Sequence, residues 1–146
     1  MHVRVLAVVS AGILLIACSD SMSRERPGIS YGVHLTEVQP MTCVDFAHDL
    51  TGRVPVRIVS EDNLRASGCI AELRNSEPSL SVIVYLVSDP INRNLSVTVE
   101  EYGKWGPVTP SITTQEFAAQ VLTAIHQYFP AADVTQRKLR EGLLGP

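Results

Sequence analysis

A chain of 146 residues is long enough for one hydrophobic core and too short for two. Lys and Arg (12) are outnumbered by Asp and Glu (15), and the resulting formal charge of −3 provides no basic field to attract a nucleic-acid backbone. Apolar residues reach 45%, near the globular average, without a low-complexity block or an internal repeat, which excludes disordered, fibrous and solenoid classes.

The chain opens with a short basic entry, His2 and Arg4, followed by an apolar run from Val5 to Ala17 that closes as Leu15-Ile16-Ala17-Cys18. A run of this length suits the core of a signal peptide and is too short to span a bilayer as a helix. The charged entry, the run length, the small Ala17 and the cysteine directly after it coincide. Together they resemble the lipobox of bacterial lipoprotein signals. Two alternatives are an ordinary secretory signal with an incidental Cys18 and an uncleaved anchor, though no stop-transfer flank follows the run.

The resemblance implies export, a lipid on the Cys18 thiol, cleavage that removes residues 1–17, and acylation of the new amino terminus, with palmitate a typical chain. Each buried acyl methylene contributes about 0.8 kcal/mol, so several chains hold a soluble domain at a bilayer. Loss of Arg4 with the signal takes the charge from −3 to about −4, which strengthens the case against nucleic acid. Under the sorting rule of such lipoproteins Ser19 favours the outer membrane over the inner, while Asp20 pulls the other way. The resemblance ends at Cys18, and no family is recognised for the mature domain.

Residues 18–28 are polar and aperiodic, a lipidated tether ahead of the folded part. Ile29 to Val38 alternates (Ile29, Tyr31, Val33, Leu35 on one side), which predicts a half-buried strand with Gly32 as a bulge. After Pro40, Thr42 with Asp45 reads as a helix cap, and Cys43, Phe46, Ala47 and Leu50 share one helical face. Val54 to Ser60 alternates again and leads to a polar turn, Glu61-Asp62-Asn63; Gly68 to Arg74 then puts Cys69, Ala71 and Leu73 on one face. Leu80 to Val87 is almost continuously apolar, as a central strand covered on both faces would be. It forms a hairpin with Leu95-Val97-Val99 through the turn residues Asp89 to Asn94.

Glu101 to Pro110 reads as a loop. Thr113 with Glu116 then makes a second capping box, and Phe117, Val121, Ile125 and Tyr128 mark a helix that Pro130 closes. The expected fold is α+β, an antiparallel sheet of four to five strands packed against two helices, as one domain over residues 29–130. Residues 131–146 are left as a tail that adds a short helix or frays.

With Cys18 assigned to lipid, Cys43 and Cys69 remain as an even pair in an oxidising compartment, both on apolar faces, and a disulfide is expected. The alternative is two buried, reduced thiols.

Catalytic motifs are absent: no Gly-x-Ser-x-Gly elbow, HExxH, CxxC or glycine-rich phosphate loop occurs, so neither an enzyme nor a metal or other cofactor is expected. Asp45, His48 and Asp49 could in principle gather a metal or a proton, but a solvated helix face explains them as well. Tyr102, with Lys104 and Trp105 stiffened by Pro107 and Pro110, forms an aromatic loop suited to anchoring a partner. Its alternative is a tryptophan folded back over the sheet edge.

The expected role is therefore a membrane-anchored envelope lipoprotein, facing the periplasm, that serves as a non-catalytic accessory or assembly subunit for another envelope protein. A binding module for a small hydrophobic ligand or envelope polymer, held between sheet and helices, is the second reading. The order strand, helix, strands, helix behind an N-terminal lipid resembles, at the level of fold alone, small outer-membrane assembly lipoproteins.

Overall fold

A computed structural model describes residues 26–38, 41–63, 68–103 and 109–138. The alternating segments become strands β1 (Gly28–His34), β2 (Val56–Asn63), β3 (Cys69–Asn75), β4 (Val82–Asp89), β5 (Asn94–Glu101) and β6 (Asp133–Lys138). The two 3.6-period segments become helices α1 (Thr42–Thr51) and α2 (Ile112–Tyr128). All strands pair antiparallel in one sheet ordered β2-β3-β4-β5-β1-β6. Both helices cover the same face, α1 over β2, β3 and β4, and α2 over β1 and β5. The α+β expectation holds, with six strands rather than four or five.

The extra strand comes from the tail. Residues 133–138 do not form a helix or fray; they extend along β1 as an edge strand, with Val134 packed against the core. Only one apolar residue points inward there, so the alternation is too sparse to read, and pairing to β1 supplies what the side chains do not.

A second correction concerns Glu61-Asp62-Asn63, which is strand rather than turn. A register shift between Ile58 and Ser60 inverts the alternation, so Glu61 opposes Ala71 on the helix-covered face. There its carboxylate lies 3.1 Å from Nε2 of His48 on α1. The bulge expected at Gly32 therefore sits in β2 instead, and β1 runs in regular register. Gly32 serves a different purpose, because a Cβ there would stand 2.9 Å from Oγ1 of Thr135 on β6.

The core-facing residues of α1 fall as its spacing dictates, with Cys43, Phe46, Ala47 and Leu50 fully buried. Thr42 is not the cap. It is the first helical residue, buried, and Met41 precedes it without a side-chain cap bond. Similarly, α2 is capped by Ser111 rather than Thr113: the Thr114 N–H donates to Ser111 Oγ at 3.3 Å. The Ser111 N–H donates in turn to Glu101 Oε2 at 2.7 Å, which ties the helix start to the end of β5. The Tyr31 hydroxyl donates to the Ala118 carbonyl at 2.9 Å, fastening α2 to β1, and burial raises its pKa.

The helices meet around Phe46, whose ring centroid lies 5.2 Å from those of both Tyr128 and Phe129. Below them Leu73, Leu86, Leu95, Val97, Phe117 and Ile125 fill the space between helices and sheet.

Cys43 and Cys69 form a disulfide that fastens the first turn of α1 to the start of β3, with Cα atoms 5.9 Å apart. Ser88 of β4 is buried beside it, its hydroxyl accepting the Cys69 N–H at 2.9 Å. Gly68, just before the bridge, has φ +102°, and a Cβ there would stand 2.1 Å from the Ser88 carbonyl oxygen. Only glycine fits that approach.

In the β4–β5 turn Asp89 accepts the N–H groups of Ile91 and Asn92 at 3.0 and 3.2 Å, and its second oxygen accepts the Asn92 amide at 2.6 Å. These bonds, those from Asn92 first, hold its carboxyl below the ordinary 3.8. The stabilisation is thus complete above that ordinary value and fades as pH falls through the depressed one. Acid titration of unfolding in wild type and Asp89→Asn should diverge at neutral pH and converge in strong acid; parallel curves would contradict this turn.

Candidate binding surface on the open sheet face

Alternation sends every second strand residue away from the helices, and that outer face carries the polar chemistry. At one end of the sheet the register aligns Arg57, Arg74, Ile83, Glu100 and Gly28 across five strands. Ile83 is only 1% exposed although it points away from the core. The expectation that the central strand is covered on both faces is met at this position and fails at Val87, which is 43% exposed.

Around Ile83 stand paired charges and aromatic rings. Arg26 lies 3.9 Å from Glu100, and Arg74 donates to Glu72 at 3.0 Å. The guanidinium of Arg26 also sits 5.4 Å from the centre of the Tyr102 ring and bonds the Tyr85 side chain. The pKa of Tyr85 is raised, by burial first and then by the nearby Glu72 and Glu100, with Arg26 opposing them.

Beside this cluster is an open hollow of about 360 Å³ lined by Arg57, Arg74, Pro78, Leu80, Ile83 and Tyr102. Tyr102, the one aromatic residue of that loop among the described residues, is 53% exposed at its rim. Its own N–H donates to the Ser81 carbonyl at 2.6 Å, which fixes the backbone at this point. Trp105, Lys104 and Cys18, the expected site of lipid attachment, lie outside the described residues. Arg57 is exposed and has no ion-pair partner among the described residues.

Toward the other end of the same face, Ile70 (40% exposed) and Val87 are direct cross-strand partners and form a small apolar patch. On β5, β1 and β6 a second hollow of about 340 Å³ is floored by Gly32 and the hydroxyl residues Ser30, Ser96 and Thr135.

The helical triad separates rather than converging: Asp49 is held by Arg53, while His48 faces Glu61. Sequence reading missed Arg26, Arg57 and Arg74. Arg26 falls within the segment whose sequence reads as a tether. The other two were visible only as polar positions in alternating strands, and nothing short of the strand register brings them together.

Among the described residues no helix is long and apolar enough to cross a membrane. Comparison with protein-family models, with curated proteins and with solved structures finds no match.

Proposed function

We propose that this chain is an exported lipoprotein, anchored through Cys18 on the periplasmic side of a cell-envelope membrane, whose domain is a non-catalytic accessory or assembly subunit. The observation that carries the reading is the one-sided layering of the domain. Both helices lie on one face of the sheet, and among the described residues no helix covers the opposite face, where Ile70 and Val87 stand side by side. An apolar pair rimmed by polar residues on an exposed sheet face is suited to a protein contact.

The alternative, a hydrophobic ligand held between sheet and helices, is disfavoured because side chains occupy that space. The disulfide fits an oxidising compartment, and the N-terminal segment fits the anchor. Edge pairing is a less apt mode of contact, since β2 carries a bulge and β6 is rich in polar side chains.

A photo-crosslinking residue at Val87, compared with one at the exposed Ile112 on α2, tests the reading in native envelopes. A single envelope protein captured from Val87, absent from Ile112 and lost in Cys18→Ala, is the expected result. Equal capture from both positions would remove the open face as the contact surface.

A further inference from the structure

We propose that the Arg57–Arg74–Tyr102 hollow is a seat for the phosphate of an anionic phospholipid, so that the domain docks on the bilayer by this end of its sheet. The inference rests on the lipid-anchor reading above and adds to it an orientation and a ligand class.

Three observations converge. The first is where the chain enters the domain. Arg26 and Pro27 lead into β1, and Gly28 lies in the same cross-strand row as Arg57 and Arg74. Eight peptide steps separate Cys18 from Arg26, a span of at most about 28 Å when fully extended. An acyl group on Cys18 therefore confines the Arg57 end to the vicinity of the headgroups.

The second is the distribution of charge along the outer face. Although the chain carries a net −3, this end presents Arg26, Arg57 and Arg74. Of the carboxylates at this end, Glu72 and Glu100 are each paired with an arginine, and Glu77 stands in the β3–β4 turn. The opposite end of the same face carries Asp62, Asp89 and Asp133, with His34 on β1 opposite Asp133 and a single arginine, Arg93, in the β4–β5 turn. Such a polarity turns the arginine end toward an anionic surface and the aspartate end away from it.

The third is the chemistry of the hollow. Arg57 has no counter-charge among the described residues, and a guanidinium offers a planar fork of donors that matches a phosphate. Arg74 keeps donors to spare beyond its bond to Glu72. Tyr102 stands at the rim, an amphipathic ring of the type that settles at headgroup depth, while Pro78, Leu80 and Ile83 supply an apolar wall.

The test uses the secreted Cys18→Ala chain, which lacks the acyl group, so that retention on vesicles reports the hollow alone. Vesicles of phosphatidylglycerol with phosphatidylethanolamine are compared with vesicles of phosphatidylcholine by co-sedimentation at low salt. Retention is expected on the anionic vesicles only, and Arg57→Gln should lower the partition coefficient about five-fold. Arg93→Gln changes the net charge equally at the far end of the sheet and should leave it unaltered. Equal losses in the two variants, no loss in Arg57→Gln, or equal retention on phosphatidylcholine would each overturn the proposal. The anchor reading is judged separately, from the mass of the N-terminal residue of the wild-type envelope protein.

Discussion

Replacing Cys43 and Cys69 together with alanine is expected to lower the free energy of unfolding by about 3.5 kcal/mol, as the chain-entropy relation gives for a loop of this size. The bridge spans 26 positions, and both cysteines are fully buried, so the loss includes none of the slack of an exposed link. Its position gives it weight. It fastens α1 to β3, and the Cys43 N–H donates to Cys69 Sγ at 3.0 Å, so the first turn of the helix depends on the same sulfur. Urea unfolding of wild type and double variant, each with and without reductant, provides the measurement. Reductant should destabilise the wild type by the same amount and leave the double variant unchanged. A loss under about 1 kcal/mol would mean that α1 is held by packing alone.

Phe46→Ala is expected to cost about 3–5 kcal/mol, the usual range for removing a buried aromatic side chain. Phe46 is wholly buried between the helices, against Tyr128 and Phe129, and the region around it is a contact of three rings. Truncation leaves a cavity that those rings cannot fill without releasing the end of α2. Phe46→Leu retains most of the volume and should cost less than about 1.5 kcal/mol. The unfolding midpoints of both variants decide the matter. Equal, small losses would show that the helices close on each other elsewhere.

Much of the sheet was legible because period-two alternation is a local signal. Tyr31 and Val33, Leu73, and Leu95, Val97 and Val99 all face the core as their spacing requires. The helix faces followed from the 3.6-residue period in the same way. What escaped was non-local. β6 has too few apolar residues to announce itself and exists because β1 offers an unpaired edge. The strand character of Glu61-Asp62-Asn63 hinges on a bulge, which shifts the alternation by one residue and carries a polar run on as the end of an edge strand.

The candidate surface was the least legible part. Tyr102 was singled out as an aromatic in a stiff loop, and it does line a hollow, but its neighbours there come from the β2–β3 and β3–β4 pairs. Their convergence is a property of register, which has no short sequence signature. The two caps were misplaced for a simpler reason: several Ser and Thr residues compete near each helix start, and the choice depends on tertiary contacts such as Glu101 with Ser111.

The place of β1 in the sheet has a kinetic consequence. The first strand of the domain finds its partners only late in the chain: Asn94, which bonds His34, lies 60 residues downstream, and Thr135, which bonds Gly32, lies 103 downstream. The meander β2–β5 can pair as it appears, yet β1 must wait for β5 on one side and for β6, at the very end of the domain, on the other. Closing such long loops is slow, so β1 stays unpaired after the β2–β5 meander can already form. A sheet wired in this order is completed last at the strand that was made first.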